Sequence, residues 1–186
     1  IPEMRKLFFS TPLKDWRTAA ATALKTTLIC DPGGGYKYSN GNYAILGVLI
    51  EQATDLPLED AVRELVLDPV GITTASISPT RVTNRSGAKY YVSNNRRYME
   101  ALGPAGAWQM SPSDVARLLG ALQPDSPTSP LSVESRRMMQ EPTAPAGQRY
   151  NNRYSLGLEK YGVLWGHTGT LQSARTIAFM LPNGYS

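Results

Sequence analysis

Leu13, Trp16, Ala20 and Leu24 recur at helical spacing behind Thr11-Pro12, an N-cap type followed by proline at the first helical position, and predict a helix over about 12–25. After a turn from Pro32 to Gly35, Tyr43, Leu46, Gly47, Ile50 and Ala53 share one helical face. Ile45, Val48 and Leu49 widen that face into a nearly all-apolar cylinder, so this second helix is expected to be buried. Pro57 opens a third helix with Leu58, Ala61, Val62 and Leu65 inward, and Asp68-Pro69 ends it because proline cannot continue the hydrogen-bond ladder. Residues 72–104 show neither period and read as loop with short strands.

Ser111-Pro112-Ser113-Asp114 combines a capping serine, a proline at the first helical position and an acid three residues past the cap, and predicts a helix to about Leu122. Ser132 caps another, through Gln140. From Tyr154 the pattern changes to short aromatic and β-branched runs at 154–159, 162–168 and 173–181, punctuated by glycine and Asn183-Gly184, as antiparallel strands are. Helices first and strands last, without βαβ alternation, predict an α+β fold with helices packed on an antiparallel sheet. The expectation is one domain over 1–186, mostly helical to about 150 and sheet-forming from about 151. No internal repeat interrupts it, and Gln123 to Pro130 is a Pro/Ser-rich loop.

Composition adds limits. With 41% hydrophobic and 18% charged residues in 186, the chain is an ordinary globular one, not a disordered one. The longest apolar run, Ala44 to Ile50, falls far short of the roughly 20 residues of a membrane span, and no targeting signal opens the chain. The net charge of +4 is scattered. Arg96-Arg97 and Arg136-Arg137 carry no interleaved aromatics and read as solvated surface, not as a nucleic-acid patch. One Cys (Cys30) and one His exclude a disulfide framework and argue against a Cys/His zinc site, so no metal or other cofactor is expected. The start at Ile1 and the stop at Ser186, just after a turn, read as a piece of a longer polypeptide, truncated at both ends.

Two polar clusters stand out against this scaffold: Tyr38-Ser39-Asn40 at the entrance to the apolar helix, and His167-Thr168-Gly169-Thr170 on a predicted strand. Each has a plain structural explanation, since Ser or Asn before a helix commonly caps it and a histidine beside glycine commonly packs.

Together with their flanks they resemble a known superfamily. "PGGGYKYSNGNYAILGVLIEQATDLPLEDAVRELVLDPVGITTAS", "AGAWQMSPSDVARLLGAL" and "YSLGLEKYGVLWGHTGTLQSARTIAF" are similar, in that order, to three blocks of the serine β-lactamase and penicillin-binding protein superfamily, in its class C and DD-peptidase branch. The resemblance implies attack of a serine on an amide or ester carbonyl and passage through an acyl-enzyme. It implies Tyr38 as proton carrier, Asn40 as the residue that orients the substrate amide, and Ser39 as mainly a cap. His167 stands in the place of the lysine of Lys-Thr-Gly and would supply donor or positive character. Thr168 and Thr170, on one face of the strand by alternation, would meet a substrate carboxylate. Gly169 would let the substrate backbone pair closely, and the Thr170 amide would serve an oxyanion hole. D-Ala-D-Ala-like peptides and β-lactams are the implied partners, and secretion or the bacterial cell envelope the implied location.

Two departures matter. Upstream of Tyr38, where the family carries Ser-x-x-Lys, there is none; Thr11-Pro12-Leu13-Lys14 and Thr22-Ala23-Leu24-Lys25 are near misses that read as parts of the first helix. The chain alone is therefore expected to be inert. Gly157-Leu158 is followed by Glu159, where the His-Thr-Gly carboxypeptidases carry a basic residue, with Lys160 or Arg175 as candidate replacements. A D-alanyl-D-alanine carboxypeptidase-like hydrolase of cell-wall peptides is the leading expectation. The alternatives are an esterase or D-amino-acid amidase on the same scaffold, and a non-catalytic peptidoglycan-binding or sensor module.

Overall fold

The computed structural model describes residues 15–77, 99–142, 154–171 and 174–184. Along the chain, the segments of two compact units alternate. Ile1–Thr27, Ser39–Arg63 and Ala75–Met110 form one, and Leu28–Tyr38, Glu64–Thr74 and Ser111–Ser186 the other. Among the described residues no helix is long and apolar enough to cross a membrane.

In the first unit, helix α1 (Trp16–Leu24) starts at Asp15, whose carboxylate accepts the Arg17 N–H at 3.1 Å. The start predicted at Thr11-Pro12 lies outside the described residues. Trp16, Ala19 and Ala20 are buried, whereas Leu24 is exposed. Helix α2 (Asn40–Thr54) is not the buried cylinder its composition predicts: Gly41, Ala44 and Gly47 face inward, and Leu46 and Leu49 are exposed. The reason is close approach. A Cβ on Gly47 would stand 2.8 Å from the rings of both Trp16 and Pro104, so the buried stripe must consist of small residues. Ser39 occupies the N-cap position with extended backbone but makes no side-chain capping bond, contrary to its expected role; its carbonyl accepts the Asn42 N–H instead.

Helix α3 (Leu58–Val62) has Pro57 at its cap, which offers no side-chain acceptor. Glu51 of α2 substitutes. Its carboxylate accepts the Leu58 N–H at 2.8 Å while holding the Arg17 guanidinium through two bonds of 2.6 and 2.8 Å. That pairing keeps the Glu51 carboxyl below its ordinary range. A short antiparallel pair, β1 (Ser76–Ile77) with β2 (Trp108–Gln109), and helix α4 (Met99–Leu102) also belong to this unit.

From Arg63 the third helix passes into a π turn to Leu67 and a 3₁₀ turn to Val70, two residues beyond the predicted stop. The wider turn shifts the phase of the apolar face, so Leu67 is buried and the predicted Leu65 is exposed. In the second unit, helix α5 (Pro112–Ala121) starts as predicted, with Ser111 Oγ accepting the Asp114 N–H. The reciprocal bond of a capping box is relayed: Thr74 Oγ1 accepts the Ser111 N–H at 3.0 Å and donates to Asp114 at 2.5 Å. Helix α6 (Val133–Met138) starts at Ser132, also as predicted, and ends short of Gln140.

Arg136 of α6 is buried, not solvated. Its guanidinium donates to the carbonyls of Leu131 and Pro124, groups with no other partner in a helical ladder, and so ties the Pro/Ser-rich loop to the helix. Arg137 beside it is exposed, and Arg96-Arg97 lie outside the described residues.

The sheet of this unit is antiparallel, β3 (Glu159–Tyr161), β4 (Leu164–Leu171) and β5 (Ala174–Met180), with Glu159 opposite Gly166 and His167 opposite Ala178. Residues 154–158 do not form the predicted strand. The Ser155 N–H donates to Leu158, Gly157 takes φ +86°, and Tyr154 bridges back to Glu159. Trp165 and Met180 face α5 and form a core with Leu119 and Leu158. On the opposite face, Tyr161 and Phe179 pack edge to face over Gly166, where a Cβ would overlap Phe179 and the Ala178 carbonyl. A cleft of about 520 Å³ lies by Gln123, Gln140, Trp165 and Met180, and none of the predicted site residues lines it.

Candidate active site

His167 is placed by β4, and Tyr38 by the segment that precedes α2; both belong to the second unit. Their ring centroids lie 6.2 Å apart. Tyr154 stands with them, edge to face against both, 5.6 Å from Tyr38 and 5.8 Å from His167, and Tyr36 packs on Tyr154 at 5.8 Å. The Tyr154 hydroxyl is 3.3 Å from His167 Nε2, while Nδ1 is 2.5 Å from the Thr168 carbonyl. A histidine beside two phenols can hold and pass protons, and the Tyr38 side chain is half exposed.

Over the matched span from residue 5 to residue 184, the profile of the Beta-lactamase family fits this sequence. The chain belongs to the Beta-lactamase family. A segment of 56 residues is 45% identical to a D-aminopeptidase of Brucella anthropi, covering 30% of this chain and 11% of that protein. The fold is similar to that of a D-stereospecific amidohydrolase from Streptomyces sp. (TM-score 0.72, 22% identity, 97% of this chain and 58% of that one). It is likewise similar to the D-amino acid amidase from Ochrobactrum anthropi SV3 in complex with D-phenylalanine (TM-score 0.59, 22% identity, 79% of this chain and 51% of that one). The chain thus spans little more than half of these structures, and the fold is what they share with it. The relatives are hydrolases by name.

The remaining predicted residues are distributed unevenly. Asn40 is the first residue of α2 and belongs to the first unit. Thr168 and Thr170 share a face of β4, as alternation requires, and Glu159 is on it too: Thr168 Oγ1 donates to the Glu159 carboxylate at 3.2 Å. Lys160 points the other way, its Nζ 5.3 Å from the Trp165 ring. Arg175 pairs with Thr170 in the β4–β5 register. For Gly169 the structure shows a packing need, since a Cβ there would meet the Thr176 hydroxyl.

Tyr154 is the residue that sequence reasoning missed. Its signal was the Tyr of "YSLGLE", which sits ahead of a run that reads as strand and so looks like one more β-former. Ser86-Gly87-Ala88-Lys89 has Ser-x-x-Lys spacing but follows Tyr38, the reverse of the family order, and lies outside the described residues.

Proposed function

We propose that this chain forms the Tyr-x-Asn and His-Thr-Gly part of a serine acyl-enzyme hydrolase acting on amides or peptides of D-amino acids with a free α-amino group. Tyr38 carries the proton of the nucleophile, and the β4 strand receives the substrate. The observation that carries the substrate class is the bond from Thr168 to Glu159. A substrate carboxylate brought to that hydroxyl would meet a like charge, at a cost of about 1 kcal/mol at 4 Å in water and about 4 at an effective dielectric of 20. An ammonium gains by the same amount. This favours the amidase or aminopeptidase reading over D-alanyl-D-alanine carboxypeptidase or β-lactam chemistry. The D-aminopeptidase and D-amino acid amidase relatives support it.

One observation favours the carboxypeptidase reading instead. Arg175 stands opposite Thr170 on the same face and could receive a carboxylate. The deciding experiment titrates D-phenylalanine amide, N-acetyl-D-phenylalanine amide, L-phenylalanine amide and a peptide ending in D-Ala-D-Ala, following the His167 ring resonances and product release in the protein that carries the chain with its nucleophile. Binding and cleavage of the free D-amide alone, weakened at least tenfold by Glu159→Gln, is the expected result. Release of C-terminal D-alanine would overturn it in favour of the carboxypeptidase. Binding without turnover would overturn the enzyme reading in favour of a sensor module.

A further inference from the structure

We propose that Tyr154 is a positioning residue of this site, holding neutral His167 as the Nδ1–H tautomer with its Nε2 lone pair turned to the tyrosine cluster. The argument starts from the acceptor that cannot change roles. A backbone carbonyl has no proton to give, so Nδ1, 2.5 Å from the Thr168 oxygen, must carry one. In a neutral imidazole the other nitrogen is then an acceptor, and the hydroxyl 3.3 Å from it, that of Tyr154, donates. Tyr154 is held in place from two sides: its backbone bridges Glu159, and its ring packs against Tyr36 and Tyr38.

The consequence concerns the direction of proton flow. A protonated lysine at this position could only donate, whereas neutral His167 so oriented accepts. When a phenol gives up its proton to Nε2, the O–H bond breaks and an N–H bond forms. The products are a phenolate and an imidazolium whose Nδ1–H is already bonded to Thr168. In its neutral form His167 thus presents an acceptor to the tyrosine cluster. This rests on the proposed function only for its catalytic meaning, because the tautomer is a property of the chain itself.

His167 is the one histidine in the sequence, so its ring nitrogens need no assignment. In ¹⁵N-labelled protein, at a pH where the ring is neutral, Nδ1 should show the shift of a protonated nitrogen and Nε2 that of an unprotonated one. In Tyr154→Phe, which keeps the ring but removes the donor, the population should move toward the Nε2–H form. A wild-type spectrum with Nε2 protonated would overturn the proposal without any variant, and so would an unchanged tautomer ratio in folded Tyr154→Phe. Either failure would leave the D-amide reading standing, and loss of D-amide binding would leave the tautomer standing.

Discussion

Tyr38 and His167, more than a hundred residues apart in the chain, lie with their ring centroids 6.2 Å apart and their planes inclined at 48°. Two segments with separate structural explanations are thereby joined in one aromatic cluster, and Tyr154 packs edge to face against both rings.

Tyr38→Phe separates packing from chemistry. The ring of a half-exposed residue stays and only its hydroxyl goes, so stability should change by less than about 1 kcal/mol. Acylation in the protein carrying the nucleophile should slow by roughly 10² to 10⁴, the usual contribution of a positioned acid or base. Thermal melting and single-turnover kinetics on one preparation read both, and an unchanged acylation rate would remove Tyr38 from the mechanism.

The two glycines of β4 should respond differently. Alanine at Gly166 meets backbone on β5, which cannot move without breaking the ladder, so Gly166→Ala should cost about 3 kcal/mol or more, or prevent folding. Alanine at Gly169 meets only the Thr176 hydroxyl, which can rotate away. Its cost should stay near 1 kcal/mol and vanish in Gly169→Ala with Thr176→Ala. Urea denaturation of the three proteins is the check, and equal costs at the two positions would contradict the geometry.

Acid should weaken the fold through Glu51 and Asp114. The Arg17 bonds hold the first carboxyl down, and the Thr74 hydroxyl is the main cause for the second. In both cases the unfolded chain binds the proton more readily. The stabilisation is therefore complete above the ordinary carboxylate range of about 4 and is lost as pH falls through the lower folded values. Melting temperature from pH 7 to pH 3 should fall less steeply in Glu51→Gln and Thr74→Val than in the parent. Parallel curves would refute the assignment.

Arg136→Ala should lower stability by about 2 to 4 kcal/mol, because it strips two carbonyls of a charged donor in a buried setting. Arg137→Ala should change it by less than about 0.5 kcal/mol. Chemical denaturation of both tests whether the adjacent arginines differ as their burial does.

Helix starts at Ser111 and Ser132, the antiparallel strands from residue 159 and the family resemblance of the two motifs were legible in the sequence, because capping, strand alternation and motif spacing are local. What the sequence could not specify were effects that depend on a neighbour distant in the chain. The inward stripe of α2 is small because Trp16 lies against it, Leu67 replaces Leu65 because a π turn changes the helical phase, and Arg136 is buried because a loop folds over it. The site divides the same way. Tyr38 and His167 could be named from motifs, but the role of Tyr154, the bond between Thr168 and Glu159 and the tautomer of His167 arise from distances across strands and turns, which only the tertiary structure decides.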